Sequence, residues 1–305
     1  MTLRTLIAEP ICELPELMPL LPDTYPAVGF GLDGEILVAR PTTPDRLDGQ
    51  RNGFPVTTRS YEVVRIHAGL RRRFELVNEP LQIGFLQPLG DEVLLVQARC
   101  QWGGGNVEPN AAVCGSSAQI ARRFALGDGI ADVRTAPSGA IWVSYFDEGV
   151  FGNRGSHPGP PAIGSDGLVR FDAFGRREWS YDSTHARTDQ ICDAYAFNLV
   201  REDDAWVYHY TEFPIVRVAG ANYTVWQPGV SGAIAMAVRH DAVLLFGDHD
   251  DAVSARVYGL RSKQLTAVNI VDHEGARFGR RTRAFGVGPV LYLLRRSTVF
   301  SVNDW

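Results

Sequence analysis

The chain has 305 residues, with 30 basic and 35 acidic side chains and a formal net charge of −5 at pH 7. This balance lacks the basic excess of a nucleic-acid-binding protein, so we expect no nucleic-acid partner. No apolar run reaches the roughly 18 residues of a membrane span, and no apolar signal-peptide core is evident. We therefore expect a cytoplasmic protein with no membrane partner. Its four cysteines should be reduced, unless Cys100 and Cys114 face each other across a hairpin.

A short pattern recurs along the chain, in which a turn rich in Gly and Asp precedes an apolar run. The six runs are EILVAR (35–40), EVLLVQ (92–97), AIWVSY (140–145), AWVYHY (205–210), AVLLFG (242–247) and VLYLLR (290–295). Intervals of roughly 40–65 residues are typical of β-propeller blades. The sequence thus predicts an all-β single domain over residues 1–305, a six-bladed β-propeller of four-stranded antiparallel blades.

Each copy can be divided into strands A, B, C and D by period-two alternation and intervening turns. The predicted strands are 25–31, 35–40, 61–67, 71–77; 81–87, 92–98, 111–117, 120–126; 130–136, 140–146, 167–173, 177–182; 191–197, 205–211, 215–220, 222–227; 233–238, 242–247, 255–260, 264–270; and 283–288, 290–295, 298–303. The last blade lacks a fourth strand, which we expect the N-terminal segment 4–10 to supply, closing the ring. A pair of β-sandwiches, or five or seven blades, are the alternatives. No stretch has sustained helical periodicity.

The long connections fall mainly on one side of the predicted propeller. They join strands B and C at 41–60, 101–110 and 147–166, and strands D and A at 182–190 and 272–281. Loops held by a rigid scaffold commonly carry binding and catalytic groups, so we predict that this face is functional. The alternative is that insertions accumulate wherever the fold tolerates them.

Two neighbouring A strands begin with the same pattern, Ile-x-Asp, which ends at Asp132 and Asp193. We predict that these carboxylates lie side by side at the mouth of the central channel, where they could bind Ca²⁺, Mg²⁺ or Mn²⁺. The alternative is an ion-paired rim, with Arg281 or Arg283 as the partner. The wider group Arg280, Arg281 and Arg283 is interpreted as solvated or ion-paired surface.

The loops of the predicted face supply the remaining candidates. The catalytic candidates are Asp147, Glu148, His157, His185 and His249, and the ligand-binding candidates are Trp102, Phe151, Asn153, Arg154, Tyr210 and Arg283. Histidines beside carboxylates suit acid–base chemistry, and loop aromatics suit stacking on a sugar or planar ligand. Each histidine has the alternative role of a loop residue with a local hydrogen bond. The acidic turn 248–251 is either a cation site or a solvated turn.

Blades 3 and 4 carry a family resemblance. The segments GDGIADVRTAPSGAIWVSYFDEGVFGN, GLVRFDAFGRREW and DAYAFNLV, with AWVYHYTEFPIV, resemble an uncharacterised bacterial, actinobacterial-type β-propeller family. Blades of this kind are also loosely similar to those of streptogramin lyase and gluconolactonase-type propellers. That similarity implies metal-dependent enzymes acting on lactone-like or ester-linked substrates at the top face. The metal-binding Glu of the gluconolactonase pattern has no counterpart here, so no catalytic residue can be assigned from it.

The sequence predicts a protein that binds a small-molecule ligand, with metal-dependent lyase or hydrolase chemistry at the mouth of the central channel. The carboxylates and histidines of the loops favour an ionisable concave site of that kind. The alternative is a non-catalytic platform that presents the same loops to a protein partner, which would favour an exposed aromatic or apolar surface.

Overall fold

The computed structural model describes residues 3–51, 54–103, 106–115, 117–152, 161–248 and 253–305. The chain divides into two compact units. One unit is Glu16–Tyr181, and the other combines Met1–Pro15 with Asp182–Trp305. The regular structure in both is almost entirely β-strand. None of the described helices has the length and apolar character that a membrane span requires.

The chain opens with a long strand, β1 (Arg4–Glu13), which belongs to the second of these units. A short 3-10 turn at Pro15–Leu17 leads into the unit Glu16–Tyr181. The strands of that unit follow the predicted order closely. They are β2 (Ala27–Phe30), β3 (Ile36–Pro41), β4 (Arg46–Arg51), β5 (Phe54–His67), β6 (Leu70–Glu79), β7 (Phe85–Leu89), β8 (Glu92–Val96), β9 (Trp102–Gly103), β10 (Asn106–Val107), β11 (Ala111–Cys114), β12 (Ile120–Phe124), β13 (Ile130–Thr135), β14 (Ile141–Tyr145), β15 (Leu168–Phe171) and β16 (Arg177–Ser180).

These strands form three sheets and a small hairpin. The sheets are ordered β2-β3-β5-β4 with β6 also on β5, β12-β11-β8-β7, and β13-β14-β15-β16, and the hairpin is β9-β10. The second strands, β8 and β14, are buried on both faces, which accounts for their nearly continuous apolar runs. In the fourth strands buried and exposed residues alternate less regularly, and most residues are exposed, as in β6. Each sheet therefore has an apolar inner part and a polar outer edge.

The unit formed by Met1–Pro15 and Asp182–Trp305 has the same plan. Its further strands are β17 (Asp193–Arg201), β18 (Asp204–Tyr210), β19 (Ile215–Ala219), β20 (Asn222–Trp226), β21 (Ala235–Val238), β22 (Ala242–Phe246), β23 (Ala255–Gly259), β24 (Leu265–Asp272), β25 (Arg283–Val287), β26 (Val290–Arg295) and β27 (Thr298–Val302). β17 to β20 form one four-stranded sheet. The others join β1 in an eight-stranded sheet of order β21-β22-β23-β24-β1-β27-β26-β25.

The N-terminal strand completes the last group of strands, as the sequence predicted. Its second half, Glu9–Glu13, pairs antiparallel with β27, and its first half pairs parallel with β24. Leu6 and Ala8 point inward and are buried in an apolar core with Phe300 and Leu293. The pairing leaves neither β24 nor β27 with an open edge, which is the physical reason for recruiting a strand from the other end of the chain.

The inner strands β17, β21 and β25 are joined by one buried side chain, that of Asn198. Its amide nitrogen donates to the carbonyl oxygens of Met236 (2.7 Å) and Gly288 (2.9 Å), and its amide oxygen accepts from the Gly288 nitrogen (2.8 Å). Gly286 lies beside them, and a side chain there would meet the Met236 carbonyl, with Cβ 1.6 Å from the oxygen. The close approach of the inner strands thus depends on a glycine and an asparagine.

Two predicted loops contain regular structure. The segment 41–60 includes β4, which pairs with the first part of β5, and the segment 101–110 includes the hairpin β9-β10. Two short helices are also present, α1 (Asp147–Phe151) and α2 (Ser183–Ala186). Both are too short to give a helical period in the sequence. All four cysteines are thiols, so Cys100 and Cys114 form no bridge.

Candidate functional site

The predicted channel-mouth residue Asp132 lies in a polar group on the inner strands of the third sheet. Its Oδ2 is 2.8 Å from Nη2 of Arg134, two residues further along β13, and its Oδ1 accepts a hydrogen bond from the Val133 nitrogen. Ser144 on β14 is the cross-strand neighbour of Asp132. Residues paired in this way, and those two positions apart on one strand, share a face of the sheet. The partner of Asp132 is therefore Arg134, and not Arg281 or Arg283.

Two buried polar atoms of this group have no hydrogen-bond partner among the described residues. They are Nε of Arg134 and Oγ of Ser144, in side chains that are 4% and about 1% exposed. A buried donor left without a partner costs about 1–3 kcal/mol, so native proteins rarely keep one without a water or ligand to satisfy it. The Asp132 side chain is 24% exposed, which gives the group access to solvent. The arrangement offers two donors and a carboxyl group to a small polar molecule.

The environment also changes the acidity of Asp132. Burial raises the pKa of its carboxyl group, and the charge of Arg134 and the hydrogen bond from Val133 only partly oppose this. Desolvation therefore outweighs the ion pair. A carboxyl group that keeps its proton to a higher pH than an ordinary aspartate is suited to proton transfer.

The predicted catalytic candidates Asp147 and Glu148 lie in the first turn of α1, and Glu148 takes part in an ion-pair network. Its carboxylate pairs with Arg99, whose Nε also donates to Oδ1 of Asp128 at 2.9 Å. Asp147 is exposed, and its Oδ1 accepts from the Glu148 nitrogen at 2.7 Å. This geometry ties α1 to the loop before β13. Glu148 therefore holds α1 to this loop through Arg99 although its side chain is 44% exposed, and Asp147 is exposed beside it.

Several further predicted residues of this face are aromatic or lie in loops. Phe151, the last residue of α1, is 66% exposed, as expected of a ligand-stacking residue. Trp102 is in β9, but the position of its side chain lies outside what the structure describes. Asn153, Arg154, His157 and His249 also lie outside the described residues, as does most of the acidic turn at 249–251.

In the unit that contains Asp182–Trp305, Asp193 is the first residue of β17 and pairs across the sheet with Tyr210. The predicted acid–base candidate His185 is exposed at the end of α2. Its ring lies 5.2 Å from that of Tyr223, and the helix is capped by Asp182, which accepts from the His185 nitrogen at 3.1 Å. His185 therefore lies on the rim of the sheet, where its contacts are local and structural.

Tyr210 belongs to an aromatic group around Phe213. The Phe213 ring lies 5.1 Å from Tyr195, 5.4 Å from Tyr208 and 5.7 Å from Tyr210. Tyr210 is 46% exposed, whereas Tyr208 is fully buried and its hydroxyl donates to the Val230 carbonyl at 2.6 Å. Tyr210 is thus the accessible member of the group and the one that can contact a ligand.

The connection before β25 is strongly basic. It carries Arg277, Arg280, Arg281 and Arg283, all of them exposed. The guanidinium of Arg283 lies over the Phe285 ring at 5.4 Å, and burial lowers the pKa of Arg283. The predicted ligand-binding residue Arg283 is thus exposed on this connection and packs against an aromatic ring.

Sequence reasoning missed one group whose side chains could hold a metal ion. One ligand atom from each of Asp33, Glu35 and His67 lies within 4.8 Å of the others, at the turn between β2 and β3. These residues already make contacts with other side chains of the same sheet and turn. Glu35 is buried and paired with Arg65, and Nε2 of His67 is 3.2 Å from Oδ2 of Asp33. The register Ile36↔Ile66 places Glu35 opposite His67, so strand pairing could have revealed the group.

Comparisons with known proteins agree with the fold. The model of the YxzG family matches residues 164–302. The PQQ-bound aldose sugar dehydrogenase from Streptomyces coelicolor has a similar structure, with a TM-score of 0.50 and 10% identity over 96% of this chain and 97% of that one. YCF48 bound to the D1 peptide also has a TM-score of 0.50, with 13% identity over the whole of both chains. No curated protein matches the chain in sequence.

These comparisons establish the fold and leave the function open. The chain is an all-β protein of the β-propeller type, and the resemblance to an uncharacterised propeller family is confirmed. At identities of 10% and 13%, the two structures show the fold and establish neither a substrate nor a partner for this chain. One of them is an enzyme and the other is bound to a peptide, so the same scaffold supports both kinds of function.

Proposed function

We propose that this protein is a six-bladed β-propeller that binds a small polar molecule at Asp132, Arg134 and Ser144, and acts on it as a lyase or hydrolase. The observation that carries the proposal is the pair of buried donors without partners in the described part of the chain, Arg134 Nε and Ser144 Oγ, beside a solvent-accessible carboxyl group. A ligand that accepts from both donors recovers their desolvation cost. The blade count treats the eight-stranded sheet as two blades joined by β1.

The chemistry of the group suits an ester, lactone or other carbonyl compound. The Arg134 and Ser144 donors would stabilise negative charge that develops on the carbonyl oxygen. Asp132 would transfer a proton, a role supported by the raised pKa of its carboxyl group. This division of roles needs no resident metal ion.

The test is ligand-dependent thermal unfolding with a panel of sugars, lactones, hydroxy acids and esters. A compound at 100 times its dissociation constant stabilises the folded state by about 2.7 kcal/mol, which a melting experiment resolves. We expect the shift to be lost in Ser144→Ala and Asp132→Asn and kept in Asp147→Asn, which removes an exposed carboxylate of the same unit. A shift that survives both site variants would reject this location.

A divalent cation at Asp132 and Asp193 is a separate proposal, and the Arg134 ion pair argues against it. Such a cation would have to displace Arg134 from the Asp132 carboxylate. Protein stripped with EDTA and resupplied with Ca²⁺, Mg²⁺ or Mn²⁺ provides the test. Stabilisation that disappears in both Asp132→Asn and Asp193→Asn would support the metal site, and stabilisation that persists in both would contradict it.

The second candidate function is a non-catalytic platform for a protein partner. Phe151 and Tyr210, at 66% and 46% exposure, are aromatic side chains available for such contacts. The similarity to YCF48, which is bound to a peptide, supports this use of the fold. Substituting Phe151→Ser and Tyr210→Ser should abolish capture of a protein partner and leave small-molecule binding intact, whereas the site variants above should do the reverse.

A further inference from the structure

The outward face of the strand pair β1–β24 leads directly to the basic connection before β25. In the parallel register Ile7 is the neighbour of Val271, and Val271 in turn bridges to Arg277. The adjacent pair Leu6 and Ile270 is buried. Because side chains alternate along a strand, Ile7, Val271 and Arg277 form a lateral row on the opposite, outward face.

This outward face exposes apolar side chains along β1. Leu3, just before the strand, and Ile7 within it are 47% and 44% exposed, and Leu265 on β24 is 37% exposed. A single exposed apolar residue is ordinary, but repetition along one strand face creates an apolar strip. The strip lies on the surface of two paired strands, which hold it in a fixed geometry.

Three arginines of the basic connection at the end of this row have no acidic partner in the part of the chain that the structure describes. Among the residues that the structure describes, Arg277, Arg280 and Arg281 make no ion pair and no side-chain hydrogen bond. Most other arginines of the chain do, as when Arg295 pairs with the buried Asp272 just ahead of this connection. Of the two interpretations of Arg280 and Arg281, solvated or ion-paired, the structure therefore supports the solvated one.

The connection is nevertheless held firmly in place. Phe278 is buried, and its ring packs edge-on against Phe300 at 5.3 Å. The Asp272 nitrogen donates to the Ala276 carbonyl at 2.9 Å, and the Thr282 nitrogen donates to the Gly279 carbonyl at 2.9 Å. An anchored backbone reduces the entropy lost when its arginines engage a ligand.

We propose that the apolar strip of β1 and the basic connection together bind an acidic segment of a partner protein that also carries apolar side chains. The apolar strip would take the partner's aliphatic residues, and Arg277, Arg280 and Arg281 would pair with its carboxylates. Guanidinium groups suit this role because they bind carboxylates through paired hydrogen bonds. Three cations spread over five residues match an extended anionic chain better than a single small anion.

The same observations disfavour a nucleic acid. A nucleic-acid surface carries a broad basic excess, whereas this chain has a net charge of −5 and only a local group of arginines here. The row also ends in an aliphatic strip, and not in the exposed aromatic rings on which bases stack. A protein segment that combines carboxylates with Leu or Ile side chains satisfies both halves of the surface.

The test measures fluorescence anisotropy of a labelled peptide of about twelve residues built from Leu-Glu-Glu repeats, added to the intact protein. A second peptide has Gln in place of every Glu, and a labelled oligouridylate serves as the nucleic-acid probe. We expect that only the Glu peptide binds, and that its affinity falls as the salt concentration rises. Affinity should fall about tenfold or more in the triple variant Arg277→Gln, Arg280→Gln, Arg281→Gln, and also fall in Ile7→Ser.

The matched control removes the same number of charges from exposed positions elsewhere in the same unit, as Arg201→Gln, Arg261→Gln, Arg296→Gln. Its affinity should stay within about twofold of the unsubstituted protein, since these side chains lie outside the row. Circular dichroism melts of all variants confirm that each is folded. Four outcomes would each overturn the proposal. Two concern specificity for the surface and its charge: the two triple variants lose the same affinity, or the Glu and Gln peptides bind equally well. The other two are that oligouridylate binds as tightly as the Glu peptide, or that no peptide binds at all.

Discussion

At the scale of single residues, the environment of Asp132 makes stability depend on pH in an unusual direction. Its folded-state pKa is raised by burial, so its contribution to stability is fully present below the unfolded pKa and is lost as pH rises through the folded value. We predict that Asp132→Asn, measured by urea unfolding, becomes progressively more favourable relative to the unsubstituted protein as pH rises above about 4, the ordinary pKa of an aspartate. The Asn side chain avoids the charge that burial penalises.

Asp45, in the same unit, provides a control of opposite sign. A hydrogen bond from Arg59 lowers the pKa of its carboxyl group, with Nε of Arg59 2.6 Å from Oδ1. That contribution is present above the unfolded pKa and is lost as pH falls, so Asp45→Asn should be destabilising at neutral pH and nearly neutral in acid. If both variants depend on pH in the same direction, the assignment of a desolvated carboxyl group to Asp132 is wrong.

The residues of the candidate site were only partly predictable from the sequence. Asp132 is singled out by the Ile-x-Asp pattern that recurs at Asp193, but its ion pair with Arg134 is not among the alternatives that the sequence offered. Arg134 and Ser144 look like ordinary strand residues: alternation places Arg134 on the face of Asp132, and only strand pairing brings Ser144 there. The burial that raises the pKa of Asp132 depends on packing, which no local pattern encodes.

At the scale of elements, α1 is held against the loop before β13 by a close approach of backbone at two glycines. A Cβ on Gly149 would lie 2.5 Å from the Asp128 carbonyl oxygen and 2.7 Å from that of Gly129. We predict that Gly149→Ala costs about 1–3 kcal/mol of stability, because backbone atoms must move apart to admit the methyl group. Urea unfolding measures the loss.

Gly84→Ala is the matched control for this substitution. A Cβ at Gly84 meets no atom closer than 3.9 Å, so the added methyl group should change stability by about 0.5 kcal/mol or less. If Gly149→Ala is as well tolerated as Gly84→Ala, the segment at α1 is loosely packed.

The strands were predictable because each is bounded by a turn that its residues require. Gly34 and Gly139 adopt positive φ in the turns between strands A and B, where only glycine is unstrained, and the apolar run begins two residues later. The pair β4–β5 was missed because the strand Arg46–Arg51 is polar apart from Leu47, and residues 46–49 are exposed, so no alternation of buried and exposed residues marks it. The helices α1 and α2 span five and four residues, too few for a period of 3.6 to emerge.

At the scale of the whole molecule, the repeat predicted the propeller class, since six similar apolar runs at blade spacing are typical of that architecture. The similarity of the two solved structures over nearly their full length supports that class. The function cannot be predicted from the repeat in the same way. A repeat describes the inner strands that every blade must share, whereas chemistry depends on what differs between blades, such as the arginines of 277–283 or Ser144.

The last prediction concerns the N-terminal strand and its contribution to the stability of the fold. β1 fills the space between β24 and β27, and Leu6 is 2% exposed in the core beneath it. Removing residues 1–13 should expose two strand edges and open that core, a loss of several kcal/mol. Hydrogen exchange should accelerate first in β24 and β27, while the sheets of Glu16–Tyr181 stay protected. A peptide of residues 3–14 should restore protection, and the same peptide with Leu6→Asp should not. Acceleration spread evenly over the chain would show instead that the whole protein unfolds as one unit.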